Sequence, residues 1–300
     1  MSTRTLAIIA ACALACAAEH KASWEVKNPP PAGSGGGSEA DYKQLVAQGD
    51  AAWAERGDKD KLMRAIYAWE GAVRVQPADW QTFGKLARAT YLLADGFLNP
   101  LVIPDGDKAK YEEMHEKGIR YGELAMSNYS PEFRAKVQAG AKPEDAVELI
   151  GKDGIATMYW YAANLGRWAN SKGFTTRLAQ KDRILKIMRR CLELDSDFFY
   201  AAPHRYFGAF YAIAPSFAGG DLDKSLQHFQ TAIQKSPNYF STHVLFAENY
   251  ATKKGDKDLF KKQLEFVLQT PENVLPDVVP EQRIEKLKAK RLLDQINEKF

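Results

Sequence analysis

The sequence predicts an all-α fold of stacked helical hairpins, preceded by a signal peptide and a flexible linker, on three observations. A small residue, an aromatic four positions on, a small residue three further and a proline five further occur twice, 160 positions apart: Ala65, Trp69, Ala72, Pro77 and Ser225, Phe229, Ala232, Pro237. Positions i, i+4 and i+7 share one helix face, so this stripe lets a neighbouring helix approach closely while the aromatic fills the gap. An aromatic-Gly step followed by an aromatic stands just upstream of the second copy, as Phe207-Gly208 and Tyr211. No run alternates apolar and polar residues well enough to be a strand. The pattern is that of a tetratricopeptide-like helical-hairpin solenoid with inserted loops, whose first helices line a concave face.

Taken from the amino end, Arg4 precedes the apolar stretch Leu6 to Ala15, too short to span a bilayer but suited to a secretory signal over residues 1–15. Two cysteines offer a lipoprotein cleavage site, where small residues must precede the modified cysteine. Cys12, after Ile9-Ala10-Ala11, has the better local pattern and a very short apolar run, whereas Cys16, after Leu14-Ala15, leaves a more ordinary length and is preferred. Plain secretion, with cleavage after Ala17 or Ala18, is the competing expectation. An acylated Cys16 would anchor the body to a membrane without crossing it. Residues 16–38, with Asn28-Pro-Pro-Pro31 and Gly33-Ser-Gly-Gly-Gly-Ser38, are expected to be a tether. Neither cysteine is followed by aspartate, the inner-membrane retention mark of enteric bacteria, so the expected location is the periplasmic face of the outer membrane.

The solenoid domain is expected over residues 39–300. Gly49 and Ala52 pair with Ala65, Trp69 and Ala72, and Trp80, Phe83 and Gly84 open a second pair. Its second helix is delayed by Asn99 to Lys108 and then carries Gly118, Tyr121, Gly122 and Ala125. Glycine costs a helix roughly 1 kcal/mol relative to alanine, so these two glycines point to close helix contact or local distortion. Phe133 to Ser171 adds an amphipathic segment with an aromatic group at Tyr159, Trp160, Tyr161 and Trp168. Leu165-Gly166 with Ile184, Met188 and Cys191 gives a third pair, ending at Asp195-Ser196-Asp197. Phe207-Gly208 with Ser225, Phe229 and Ala232 gives the most complete pair, linked through Pro215 to Asp221. A first helix from Thr242 to Thr252 and a second carrying Phe260, Leu264 and Val267 follow. Copies lie 35 to 53 residues apart, so the array is irregular and extra loops leave it.

The chain has 300 residues, 45% hydrophobic and 11% aromatic, enough to bury a substantial core. Its formal charge of +3 falls to +2 without residues 1–15, which gives no support for nucleic-acid binding. The lysines near Lys286 to Arg291 are interleaved with Glu281, Glu285 and Asp294 and read as a solvated helix face. Once the signal is removed at Cys16, Cys191 is the only other cysteine and is expected to act as a small buried hydrophobe.

Converging polar groups for an enzyme are not found, and no catalytic residue, metal ligand or cofactor is expected. The five histidines, His20, His115, His204, His228 and His243, include no pair at three to five residues, and no Cys-x-x-Cys accompanies them. Gly33 to Gly37 is not followed by Lys-Ser or Lys-Thr and is linker. Asp105-Gly106-Asp107 has the start of a calcium loop but lacks the remaining ligands, and is expected to be a turn capping the helix at Lys108. Five residues stand as candidates for a ligand or partner surface. His204 and Arg205, beside Tyr211, would recognise an anion in a concave groove, or His204 would simply pack between units. Trp160 and Trp168 would stack on a ligand, or fill space between helices.

Several stretches resemble one family, the periplasmic lipoprotein T component of tetratricopeptide-repeat-associated TRAP transporters. The strongest is Phe217-Ala-Gly-Gly-Asp-Leu-Asp-Lys-Ser-Leu-Gln-His-Phe-Gln-Thr-Ala-Ile233, similar to that family's Gly-Gly-Asp loop entering a His-Phe-x-x-Ala-Ile helix. Met158-Tyr-Trp-Tyr-Ala-Ala-Asn-Leu-Gly-Arg-Trp168 resembles its aromatic-rich helix, and Tyr111 through Gly118 to Tyr121-Gly122 and Lys288 to Leu293 also fit. The chain departs from the family at Val279-Pro280-Glu281 and Arg283, where an asparagine-led approach to the last helix is expected. The resemblance, over about residues 40 to 298, implies a non-catalytic protein that docks a periplasmic substrate-binding subunit. It also implies, for some members, a homotrimer with pores through its protomers that passes hydrophobic or organic-acid ligands towards an inner-membrane symporter. The rival expectation is a structural adaptor that anchors an envelope complex and carries no small molecule.

Overall fold

The computed structural model describes Ala22 and residues 37–300, so Cys12, Cys16, the signal segment and most of the expected tether lie outside the described residues. The described residues are all-α, with no strand among them. They form two compact units. One comprises Ile66–Ala94, Ala109–Ile187 and the described residues up to Gly49, and the other comprises Asp50–Ala65, Asp95–Lys108 and Met188–Phe300. None of the described helices is long and apolar enough to cross a membrane.

Helices α1 (Glu39–Ala54) and α2 (Lys59–Val75) are followed by α3 (Trp80–Leu93), α4 (Lys108–Tyr129), α5 (Pro131–Gln138), α6 (Ile155–Lys172) and α7 (Phe174–Leu194). In the first unit Trp69 is fully buried and its indole lies where a Cβ on Gly49 would stand, so only glycine fits there. Asp79 caps α3 by accepting from the Gln81 and Thr82 amides at 3.0 and 3.1 Å, and also accepts from the Tyr42 hydroxyl of α1 at 2.8 Å. Ser130 caps α5 in the same way, with Pro131 in the first turn, where its missing N–H costs nothing. The glycines of α4 mark close contact: a Cβ on Gly122 would come within 2.6 and 2.9 Å of the Cβ and Cα of Tyr161 on α6. Gly118 makes room for Asn164, whose amide donates to the Ala87 and Trp160 carbonyls at 2.9 and 2.8 Å while its oxygen meets His115 Nδ1 at 2.9 Å. One buried side chain thereby ties α3, α4 and α6 together.

The second unit contains α8 (Phe198–Ile213), α9 (Leu222–Lys235), α10 (Phe240–Leu245), α11 (Lys257–Gln269) and α12 (Val279–Asp294). The expected stripe is present: Ser225, Phe229 and Ala232 are fully buried, and a Cβ on Gly208 would stand 2.9 Å from the Phe229 ring. The Ser225 hydroxyl donates to the Gly208 carbonyl at 2.7 Å, and Phe229 stacks on Phe246 with centroids 5.0 Å apart. Phe260, Leu264 and Val267 of α11 join Phe240, Val244, Ala289 and Leu292 in one core cluster.

Two wider π-helical turns, Ala94–Leu98 after α3 and Phe246–Ala251 after α10, interrupt helices that the sequence presents as regular. Long-range charge pairs also enter this unit. Arg56 forks onto Glu281 at 3.2 and 3.0 Å and donates to the Asp277 carbonyl. Lys288 bridges Asp95 at 2.6 Å and Glu285 at 2.9 Å. The reading of Lys286 to Arg291 as a solvated face therefore holds only in part, because Lys288 and Glu285 are largely buried. Cys191 is fully buried, and burial pushes its thiol pKa upward, as its role as a small hydrophobe requires.

Candidate interaction site

The start of α8 departs from a right-handed helix. Phe199, Tyr200 and Ala201 all take left-handed conformations, with φ of 44°, 59° and 57°. A residue with a Cβ loses roughly 1–2 kcal/mol in that region, so the surroundings must hold the turn. Arg205 does so from one helical turn away: its guanidinium donates to the Tyr200 carbonyl at 2.9 Å and lies 4.5 Å over the Tyr239 ring. Tyr200 stacks on the same Tyr239, with centroids 4.7 Å apart and planes 3° from parallel. Regular helix resumes at Ala202, so Pro203 falls in a first turn where it breaks no hydrogen bond. Arg205 is only 4% exposed, and its guanidinium is spent on this clamp.

On the adjoining face of α8, His204 meets His228 of α9, with their Nδ1 atoms 3.0 Å apart. Phe207 and Tyr211 flank the His228 ring at 5.3 and 5.7 Å. Both imidazoles are half-buried, and burial depresses both pKa values. For His204 the neighbouring His228 adds to this, bringing it down to about 4. The pair is therefore neutral at pH 7. Nearby, Lys235 and Asp197 pair with each other at 2.8 Å.

The α8–α9 connection is built to be stiff. Gly219 takes φ 99°, which favours glycine, and a side chain on Gly220 would collide with the Ala214 carbonyl. Gly220 N–H donates to the Pro215 carbonyl at 3.0 Å and Asp221 N–H to the Tyr211 carbonyl at 2.9 Å. The Asp221 carboxylate then caps α9 through the Asp223 and Lys224 amides, and those bonds hold its pKa below the ordinary carboxylate value. This frame carries Phe217 at 80% exposure, with Ile213 exposed beside it.

The five sequence-derived candidates fall in both units. His204, Arg205 and Tyr211 share α8, but only His204 and Tyr211 are partly exposed. Trp160 and Trp168 are on α6 in the other unit and are buried. Trp160 packs against Tyr91 and Tyr159 with Arg88 over its face, and Trp168 donates from Nε1 to Glu116 at 2.8 Å. Sequence reasoning did not bring His228 to His204, because 24 residues on two helices carry no spacing signal. It also did not single out Phe217 as an exposed side chain, although the Gly219-Gly220-Asp221 signature beside it points to a tight loop. Among the described residues, no group of three or more His, Cys, Asp or Glu side chains is placed to hold a metal ion.

Hairpins joined by small-aromatic-small stripes, one of them displaying a stiff apolar loop beside a half-exposed imidazole pair, define a helical protein suited to contact with other molecules through its surface. The chain belongs to the TRAP transporter T-component family, whose profile matches residues 106–300, about two thirds of its length and the whole of this hairpin. No curated protein matches it.

Proposed function

We propose that this chain is a non-catalytic accessory of a TRAP-type uptake system that docks the system's soluble substrate-binding subunit. Family membership across residues 106–300 carries this reading. In it, the body over residues 39–300 works as one domain, hung by the tether of residues 16–38 from an acylated Cys16 at the periplasmic face of the outer membrane. The α8–α9 hairpin is the contact we assign: Phe217, Ile213, Tyr211 and His204 stand on a loop and helix already held in place. Little conformational entropy is then lost on binding. An aromatic side chain presented in this way has the character of an interface anchor.

The test is co-purification from detergent-solubilised envelope, followed by affinity measurement with the purified partner. Recovery of a soluble substrate-binding protein whose affinity drops on Phe217→Asp supports the proposal. Recovery of envelope-assembly proteins alone would instead make the chain a structural adaptor.

A further inference from the structure

We infer that His204 and His228 form a binding site for one divalent first-row transition ion, with the two Nδ1 atoms as its ligands. The spacing of the two nitrogens is compatible with both binding one ion. Two nitrogens each 2.0–2.1 Å from one ion lie about 2.9 Å apart when they subtend a right angle and about 3.3 Å apart at a tetrahedral angle. The observed separation is 3.0 Å. The rings come from two helices locked together at Gly208 and Phe229, and Phe207 and Tyr211 flank His228. An ion seated off the line between the two nitrogens requires each ring to rotate until its lone pair points at it, while the two helices stay where they are.

The proton balance also permits it. With both rings neutral, one Nδ1–H donates to the other Nδ1 in the ion-free pair. Coordination requires that single proton to move to Nε2 of its own ring, after which both Nδ1 lone pairs face the ion. No described residue bonds to either Nε2, so the proton has a place to go and none is released. The charged groups beside the pair, Lys235 and Asp197, neutralise one another. Imidazole nitrogen suits Cu(II), Ni(II) and Zn(II), whereas Mg(II) and Ca(II) favour oxygen. The chain supplies two ligands here, which leaves the remaining positions to water or to a carboxylate or imidazole of a docked molecule.

The experiment is calorimetric titration of the untagged full-length chain with Cu(II), Ni(II), Zn(II) and Mg(II) separately, with electron paramagnetic resonance of the Cu(II) form. Expected are one equivalent bound, tightest for Cu(II) and nil for Mg(II), and hyperfine structure from two equivalent nitrogens. His204→Ala and His228→Ala should each weaken binding by about tenfold or more, since losing a direct ligand costs at least what losing an outer-shell partner costs. His204→Asn keeps a polar group against His228 while removing the imidazole, so it separates loss of the ion from loss of the fold, with the melting curve as the check. His20→Ala should change nothing. The absence of a saturable one-to-one isotherm, a single-nitrogen spectrum, or binding that survives His204→Asn would overturn the inference and leave the pair as a hydrogen bond.

Discussion

Replacing Gly208 with alanine should destabilise the protein in one background and stabilise it in another. The new Cβ would stand 2.9 Å from two atoms of the Phe229 ring and 3.0 Å from a third. Ordinary contact begins near 3.4 Å, so about half an ångström must be found. The ring cannot yield, because Phe229 is fully buried and stacked on Phe246, and so the helices must part. Overpacking of this kind costs about 1–3 kcal/mol, with the upper half expected where backbone has to move. Alanine recovers about 1 kcal/mol of helix propensity, leaving a net loss of about 1–2 kcal/mol. At this chain length that corresponds to roughly 2–3 °C in Tm. Phe229→Ala removes the Cγ, Cδ1 and Cδ2 atoms that are struck and is itself destabilising. On that background Gly208→Ala keeps only its propensity gain and should stabilise by about 0.5–1 kcal/mol. Urea unfolding followed by circular dichroism measures all four corners of the cycle, whose coupling should be about 2–3 kcal/mol. The same sign and size of effect in both backgrounds would refute the packing argument.

Four further outcomes follow from particular contacts. Arg56→Ala should cost about 3–5 kcal/mol in urea unfolding, because it strips a bidentate partner from the largely buried Glu281; Arg56→Lys should recover little, since the fork is lost. Folded-state pKa values of His204, His228 and His243 are depressed, so the unfolded chain binds more protons and stability falls with acidification. It should be level above pH 6.5, decline as the pH falls towards about 4, and decline less in His204→Asn, as read from Tm between pH 7.5 and 4.5. Cys191 should resist a thiol reagent in the native protein and react on unfolding, and rapid native labelling would contradict its burial. Cys16→Ser should release the protein from the membrane fraction, and release by Cys12→Ser alone would move the acylation to Cys12.

What the sequence made legible is the part of the fold that each helix carries by itself. Ala65, Trp69 and Ala72, like Ser225, Phe229 and Ala232, announce a buried face because the helical period lines them up without help from the rest of the chain. Gly118 and Gly122 point to close approach because glycine costs a helix stability that close packing can offset, although Gly84 of α3, with open space around it, shows that a helical glycine does not always mark such a contact. The left-handed turn at Phe199–Ala201 gives no such sign. None of its residues is glycine or asparagine, and the contacts that hold it, from Arg205 and Tyr239, exist only after folding. The Arg56–Glu281 and Lys288–Asp95 pairs join residues 225 and 193 positions apart and are equally silent in sequence.

The candidate site shows the same division within one helix. His204 and Arg205 are adjacent in sequence, so their side chains lie about 100° apart around α8. A single groove cannot take both unless it wraps the helix. The structure separates them accordingly: Arg205 turns inward to hold the left-handed turn, and His204 turns towards α9 and finds His228. Residues that share a face with His204 are those three, four and seven positions on, which are Phe207, Gly208 and Tyr211. Phe207 and Tyr211 are the rings that flank His228, and Gly208 is where the Phe229 ring of α9 packs against α8. The helical period could therefore have assembled one wall of the site from sequence. The imidazole on the opposing helix depends on how α8 and α9 align across the Gly219-Gly220-Asp221 loop, and residue spacing does not encode that alignment.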